Sequence, residues 1–408
     1  MCGRRHQSMH HFIADAPWDA AAVLQVAREW VLEPMGRHGP VAAWIVDDTA
    51  FPKKGQHSVG VARQYCGVLG KQENCQVAVS VSVANDAVSL PVAYQLYLPE
   101  SWARDRRRRR AVGVPDPVAF QPKWQIALGQ IRGLQAEALP AAPVVADAGY
   151  GDTTEFRDAL TTAAIPYAVG VKGDTTVWRP GAAPCAAPRW GGRGRPPTRV
   201  RRTATHRPVK LKTLATELPP AAWRRVTWRE GTRGAMRSRF ARVRVRPAHR
   251  DENRSAPARK SGCSSSGRPG HPNRRNIGSR PCRRRPRSRT LVRLAKLRWR
   301  IERDYQELKD ELGLDHFEGR GWRGFHHHGA LCIAAYAFLA AERARLSPSA
   351  SGLPPPRSHS QRFHAAGRAR CGLNATCPPR SRPPTRSSPA RCSSTSECPW
   401  CGRTPARR

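Results

Sequence analysis

The chain has 408 residues, with 71 Lys and Arg against 30 Asp and Glu, a formal charge of +41. Such a field favours polyanions, nucleic acid first among them, yet the surplus is concentrated at 185–290 and from 347 onward, so bulk charge argues for that partner only modestly. Met1–Phe12 has no apolar core of signal-peptide length, Ala330–Ala341 is too short and Ala-rich to span a membrane, and the twelve cysteines follow no framework spacing. These features predict a cytoplasmic setting with reduced thiols.

Residues 1–40 read as the remnant of an N-terminal helical region. Ala20–Leu32 (AAAVLQVAREWVL) is amphipathic and follows a start region holding Asp15, Pro17 and Asp19. Val41–Val46 (VAAWIV) reads as a strand that ends at Asp47-Asp48-Thr49. An acid there is placed where a sheet presents groups to solvent, although a polar turn alone explains it as well. Asn74–Ala84 alternates with period two and reads as a strand with one polar face. Val88–Tyr97 reads as another, with Pro91 marking an edge or a bulge. Together these predict a three-stranded antiparallel meander with Asp47 in or near its first strand. The run Arg106–Arg110 fits a solvated face and a surface for nucleic-acid backbone equally.

Gln121–Gln135 has a helical period. Pro143–Gly151 (PVVADAGYG) reads as a short strand ending in Asp147 and a Gly-containing turn, followed by a helix at Glu155–Ala164 and a strand at Tyr167–Val171. Strand, turn, helix and strand of this size make a βαβ unit, so this part of the sheet should be parallel. Residues 41–180 thus predict the first part of a packed α/β domain. From 181 to 290 the local signals stop agreeing. Trp223–Val245 is β-like, but Asn253–Thr290 is Ser, Pro and Arg with almost no aliphatic residue and cannot bury a core. That stretch reads either as a disordered basic linker or as a segment translated in a shifted frame, with Leu291 marking the return. Residues 346–408 read as a disordered basic tail. Its Cys398-Pro-Trp-Cys401 lacks the second pair that a zinc ribbon needs.

Between Leu291 and Arg320, apolar residues recur at Leu294, Leu297, Ile301, Tyr305, Leu308 and Leu312, a helical period with one face made for a core. Arg298, Glu302 and Lys309 lie along the edge of that face, four and then seven residues apart, so all three point the same way. An ordinary salt-bridge ladder accounts for the spacing alone. His326-His327-His328 cannot all face one metal from a helix, which leaves a helix-start or phosphate-contacting role. Gly329–Ala344 reads as a final Ala-rich helix.

Arg-x3-Glu-x6-Lys resembles the Tyr-Arg-Glu-Lys signature of DDE transposases of bacterial insertion sequences; Ala295 stands at the Tyr position. The words IVDDTAFPKKG, ARQYCGVLGKQENCQVAV, YLPESW, VVADAGYGD and WRIERDYQELKDELGLDHFEGR are similar to one branch, the insertion-sequence family numbered seven hundred and one. The likeness covers roughly 6–180 and 291–345, with a front that looks truncated. It implies an α/β fold, an RNase H-like mixed sheet flanked by helices. A β-rich insertion, here degraded, interrupts that sheet, and residues 291–345 complete it. It also implies Asp47 (with Asp48 as the fallback), Asp147 and Glu302 as catalytic, metal-binding acids. Arg298 and Lys309 are then phosphate contacts, with Lys53, Lys54 and Arg63 as further DNA contacts. Two Mg²⁺ ions, with Mn²⁺ able to substitute, are the implied cofactor, because hard cations prefer carboxylate oxygen.

The implied activity is cutting of insertion-sequence ends and joining of the 3′-OH to target DNA. The implied partners are double-stranded DNA (element terminal repeats and target) and further copies of the chain on that DNA, with no membrane and a nucleoid-associated cytoplasmic location. The competing expectation is an inactive relic that only binds DNA through its basic segments, motivated by Ala295, the short front and the degraded insertion. No Ser/His/Asp set or Gly-rich phosphate loop competes with the carboxylates.

Overall fold

The computed structural model describes residues 9–231, 234–249, 251, 261–268, 271–279 and 288–347. A helical turn at residues 9–14 precedes α1 (Ala20–Gly36), which is N-capped by the Asp19 carboxylate, accepting from the Ala21 N–H, and which continues through Pro34. Its Leu24, Ala27, Val31 and Met35 enter the main core. Next come β1 (Ala43–Pro52), β2 (Ala62–Cys66), β3 (Lys71–Ala84) and β4 (Ser89–Leu96). β3 pairs antiparallel with β1 along the whole length of β1 and with β4, giving the expected meander, while β2 folds back on the start of β3. β4 has no strand partner but β3 and carries a register shift opposite Val81–Ser82, so Pro91 sits on an edge strand beside a bulge. The Val92 carbonyl at that bulge accepts from buried Arg28, Nη1–O 2.9 Å.

The short helices α2 (Glu100–Arg104) and α3 (Arg106–Ala111) lead to α4 (Lys123–Ala136) and β5 (Val144–Ala146). After β5 come the single turn α5 (Ala148–Gly151), then α6 (Thr154–Thr162) and β6 (Tyr167–Val171). β5 runs parallel to both β1 and β6, as the βαβ pattern predicts. A Cβ on Gly151 would lie 1.7 Å from the Gly170 carbonyl oxygen, and one on Gly170 would lie 2.8 Å from the Ala148 nitrogen. Only two glycines let α5 sit this close to β6.

Past β6 come β7 (Thr176–Trp178), β8 (Val209–Lys210), α7 (Leu211–Thr216), β9 (Trp223–Gly231), β10 (Gly234–Pro247), β11 (Ser261–Arg268) and β12 (His271–Ser279). β12 pairs antiparallel with β6, so this region extends the same sheet in the order β6-β12-β11-β10, with β9 also on β10. The expectation of a coreless linker over 253–290 therefore needs correction where the chain is described. Backbone pairing builds β11 and β12 whatever their side chains are, and Cys263 joins Val171, Val177, Leu211, Leu214 and Val245 in a small second core. Residues 252–260, 269–270 and 280–287 lie outside the described residues, as do the tail from 348 and Cys398–Cys401.

Three helices close the fold: α8 (Ser288–Lys296), α9 (Trp299–Asp310) and α10 (Trp322–Leu346). The single helix predicted across 294–312 is instead broken at Leu297–Arg298. There the Arg300 and Ile301 N–H groups bond three residues back, a tightened turn between the two helices. Its apolar face is buried as predicted, with Ile301 and Leu308 fully inaccessible. α10 packs on α1 and β4, and Gly329 leaves room for the Tyr94 ring. Among the described residues no helix is long and apolar enough to cross a membrane.

Candidate active site

Strand β1 does not end before its acids. It runs through Asp47 and Asp48 to Pro52, because β3 offers an unbroken partner from Ala84 to Cys75. What ends there is the other neighbour. β5 pairs with β1 only at Trp44–Val46 and stops at Ala146, so one edge of β1 opens at Asp47. Val46 and Ala146 are register partners, so Asp47 and Asp147 are the next residues on two adjacent parallel strands. That is the carboxyl end of a parallel pair, where open α/β sheets bind ligands.

Consecutive strand residues face opposite sides, and this separates the two aspartates. Asp47 Oδ2 accepts from Arg298 Nη1 at 2.6 Å, on the side of α9. Asp48 Oδ2 accepts from Lys123 Nζ of α4 at 2.6 Å, and its Oδ1 accepts from the Tyr150 hydroxyl. Asp48 is thus held in a strut to α4 and α5, while Asp47 faces Glu302. Nothing in the sequence pattern singles out Lys123 or Tyr150. They lie 75 and 102 positions from Asp48, and no local period links them.

Asp147 caps α5, its Oδ1 accepting from the Gly149 N–H at 2.8 Å and the Tyr150 N–H at 3.3 Å. Glu302 stands in the first turn of α9 with its side chain 58% exposed, and its Oε1 accepts from Arg298 Nη2. One guanidinium therefore bridges Asp47 and Glu302. Half of the salt-bridge ladder is present, and it continues into the sheet.

Burial pushes the Asp47 carboxyl up to about 7, with the Arg298 guanidinium opposing and the neighbouring Asp147 and Asp48 adding to the rise. Tyr305, one turn beyond Glu302, is buried close by. Burial is the main cause of its raised pKa, to which Asp47 contributes. The donor set suits a hard divalent cation: three carboxylates, one of them buried among like charges. Among the described residues, however, no three His, Cys, Asp or Glu side chains are gathered closely enough to hold an ion, and Glu302 is joined to Asp47 only through Arg298.

The other cations divide in two. Lys309 Nζ donates to the Ala50 carbonyl at 2.9 Å beneath the Phe51 ring, and burial lowers its pKa. Lys53 donates to the Phe317 carbonyl and is likewise lowered by burial. Lys54 and Arg63 are exposed, Lys54 beside an open cleft lined by Pro52, Lys53, Glu73 and Asn74. The three histidines all turn inward at the start of α10. His326 accepts from the Leu96 N–H, His327 stacks on Trp18 at 3.7 Å, and His328 meets the Gly313 carbonyl at 3.0 Å. Their role is at the helix start rather than on phosphate.

A mixed sheet flanked by helices, with two acids at the carboxyl end of adjacent parallel strands, is consistent with an RNase H-like nuclease. Residues 1–235 match the family model described as DDE superfamily endonuclease, and the chain belongs to that family. It is also similar to a probable transposase for insertion sequence element IS701 from Microchaete diplosiphon, 30% identical over 167 residues, which is 41% of this chain and 40% of that protein. The family match holds Asp47 and Asp147 but ends before Glu302.

Proposed function

We propose that the chain is an insertion-sequence transposase that cuts the ends of its element and joins the freed 3′-OH to target DNA. The observation that carries this is the register of Asp47 against Asp147 on adjacent parallel strands, with Glu302 of α9 brought to Asp47 through Arg298. Asp47, Asp147 and Glu302 would hold two Mg²⁺ ions, or Mn²⁺ in their place, which supply activation of the attacking oxygen and stabilisation of the leaving one. Asp47 takes the part of first acid because it is on the α9 side of β1, while Asp48 is engaged by Lys123 and Tyr150. Arg298 already presents its guanidinium at the acids, and a DNA phosphate arriving there meets the planar donor that best fits it. Lys54 and Arg63 add exposed charge for the duplex, while Lys53 and Lys309 brace β1 from beneath.

A second reading, a relic that binds DNA without cutting it, has one observation in its favour: the Arg298 guanidinium fills the space between Asp47 and Glu302. Nicking of a duplex carrying the element ends separates the two. With Mg²⁺ or Mn²⁺, the unsubstituted chain should nick. Glu302→Gln should lower nicking more than about a hundredfold, since loss even of a group that only supports a metal ligand costs about ten- to a hundredfold, while duplex binding persists. Binding without nicking by the unsubstituted chain would establish the relic, and full nicking by Glu302→Gln would overturn Glu302 as the third acid.

A further inference from the structure

The run Arg106–Arg110 is divided by the fold into anchors and free cations. α3 is N-capped by Asp105, whose Oδ1 accepts from the Arg108 N–H at 2.9 Å. The Arg108 guanidinium lies over the Trp102 ring at 3.7 Å and donates to the Gln56 carbonyl at 2.6 Å. Trp102 is itself fully buried, its Nε1 donating to the Val61 carbonyl at 2.7 Å. Arg109 donates to the carbonyls of Ala103, Pro115 and Asp116. At the far end the Val112 carbonyl accepts from the Trp322 N–H at 2.8 Å, tying the helix to α10. Two arginines and two backbone ties therefore fix a six-residue helix that could not hold itself.

Arg106, Arg107 and Arg110 are the remainder. All three are exposed, and among the described residues none has a side-chain hydrogen bond or ion pair. At offsets of three and four they share one face, about 5–6 Å apart at Cβ, where like charges repel. The acids that precede the run are already used, Glu100 by Arg104 and Asp105 by the cap. A merely solvated helix face gains nothing from uncompensated cations held on a fixed backbone. A surface for a polyanion does, because the backbone that carries them is ordered before binding. The patch continues onto exposed Lys54 in the turn that Arg108 grips.

We infer that Arg106, Arg107 and Arg110 form a preorganised clamp for the sugar-phosphate backbone of double-stranded DNA, away from the scissile phosphate. The inference rests on the transposase reading and extends it to a second anchoring point. Five residues of β1 separate Asp47 from Pro52, about 17 Å of strand, and the 53–58 turn follows. At about 3.4 Å per base step, that strand length corresponds to about five base pairs, and the footprint of the clamp is expected near that offset from the bond that is cut.

The test is the salt dependence of binding of the full chain to a labelled duplex, with hydroxyl-radical footprints of the same complexes. Replacing the three arginines by Ala should reduce the slope of log affinity against log salt by between about 2 and 3, since each phosphate that is no longer neutralised removes about 0.9. It should also erase backbone protection at that offset. Replacing the same three by Lys should keep most of the slope, since the slope counts charges. An unchanged slope in a triple Ala variant with an unchanged melting curve overturns the clamp and leaves the transposase reading intact. Absence of salt-dependent duplex binding by the unsubstituted chain overturns both.

Discussion

The sheet has two halves that meet where β6 pairs with β12. In one, β1, β3, β4 and β5 bury Trp44, Ile45, Val81, Leu90 and Val145 against helices on both sides. In the other, β9–β12 are paired as well, and among the described residues the buried cluster beneath them is Val171, Val177, Leu211, Leu214, Val245 and Cys263, with Val226, Phe240 and Val292 forming another small group. A hydrogen-bonded ladder needs only backbone, whereas positioning a carboxylate needs a packed core to hold the strand that carries it. The two strand acids, with Lys123 and Tyr150 that hold Asp48, lie in the densely packed half, and Arg298 and Glu302 come from beyond the inserted strands.

Equivalent truncations should expose the contrast most strongly. Leu160→Ala, at a fully buried position in the first core, should cost about 2–5 kcal/mol. Leu214→Ala, in the small second core, should fall at or below the lower end of that range, because a thin cluster relaxes around a cavity. Denaturant melts of both variants measure this, and equal losses would mean that the second half is as tightly built as the first.

A smaller effect sharpens the picture inside the first half. Asp304 accepts from Ser89 Oγ at 2.6 Å and Tyr336 Oη at 3.0 Å, yet its Oδ2 has no partner, and burial pushes its carboxyl up to about 7. The folded state then keeps a proton that the unfolded chain releases near 4, so Asp304 stabilises the fold fully below about pH 4. That contribution is lost as pH rises to about 7. His326 runs the other way. Burial lowers its pKa to about 4, so its contribution is lost as pH falls from about 6.5. The difference in unfolding free energy between Asp304→Asn and the unsubstituted chain should therefore be small at about pH 4 and grow to a stabilisation of order 1–4 kcal/mol by about pH 7.5. A difference that does not change with pH would show that Asp304 stays ionised.

The smallest effects belong to the exposed cations. Lys54→Gln and Arg63→Gln should each leave stability within about 0.5 kcal/mol and lower the salt slope of duplex binding by about one. Lys309→Gln should instead weaken the fold, since that ammonium donates to the Ala50 carbonyl inside the protein.

Much is legible from local pattern. The period-two run locates β3, although its expected polar face is buried, Gln76, Ser80 and Ser82 included, because β3 lies inside the sheet between β1 and β4. β4 follows where a strand is expected, and Pro91 marks an edge with a bulge. The strand–acid–glycine word at 143–151 places Asp147 after β5, and the apolar face of 294–312 is the buried one. The misses share a cause. The end of a strand is set by its partners, so Asp47-Asp48 reads as a terminating turn although β3 carries β1 on to Pro52. The break at Leu297–Arg298 leaves the hydrophobic period intact and so leaves no trace in it. Side-chain composition gives no sign of β11 and β12, because they are held by backbone.

Residue type and spacing name the candidates, the acids at 47, 48, 147 and 302 and the basic residues around them, together with the alternation of strand and helix that makes an α/β fold. Tertiary structure alone decided between Asp47 and Asp48 as the acid facing α9, turned Lys309 and the three histidines inward, and split the arginine run into anchors and free charges. The reason is physical. Residue type and period are local, but the direction of a side chain depends on which neighbour is packed against it. Those neighbours are often far away in the chain: Tyr150 is 102 positions from Asp48, and Arg298 is 251 from Asp47.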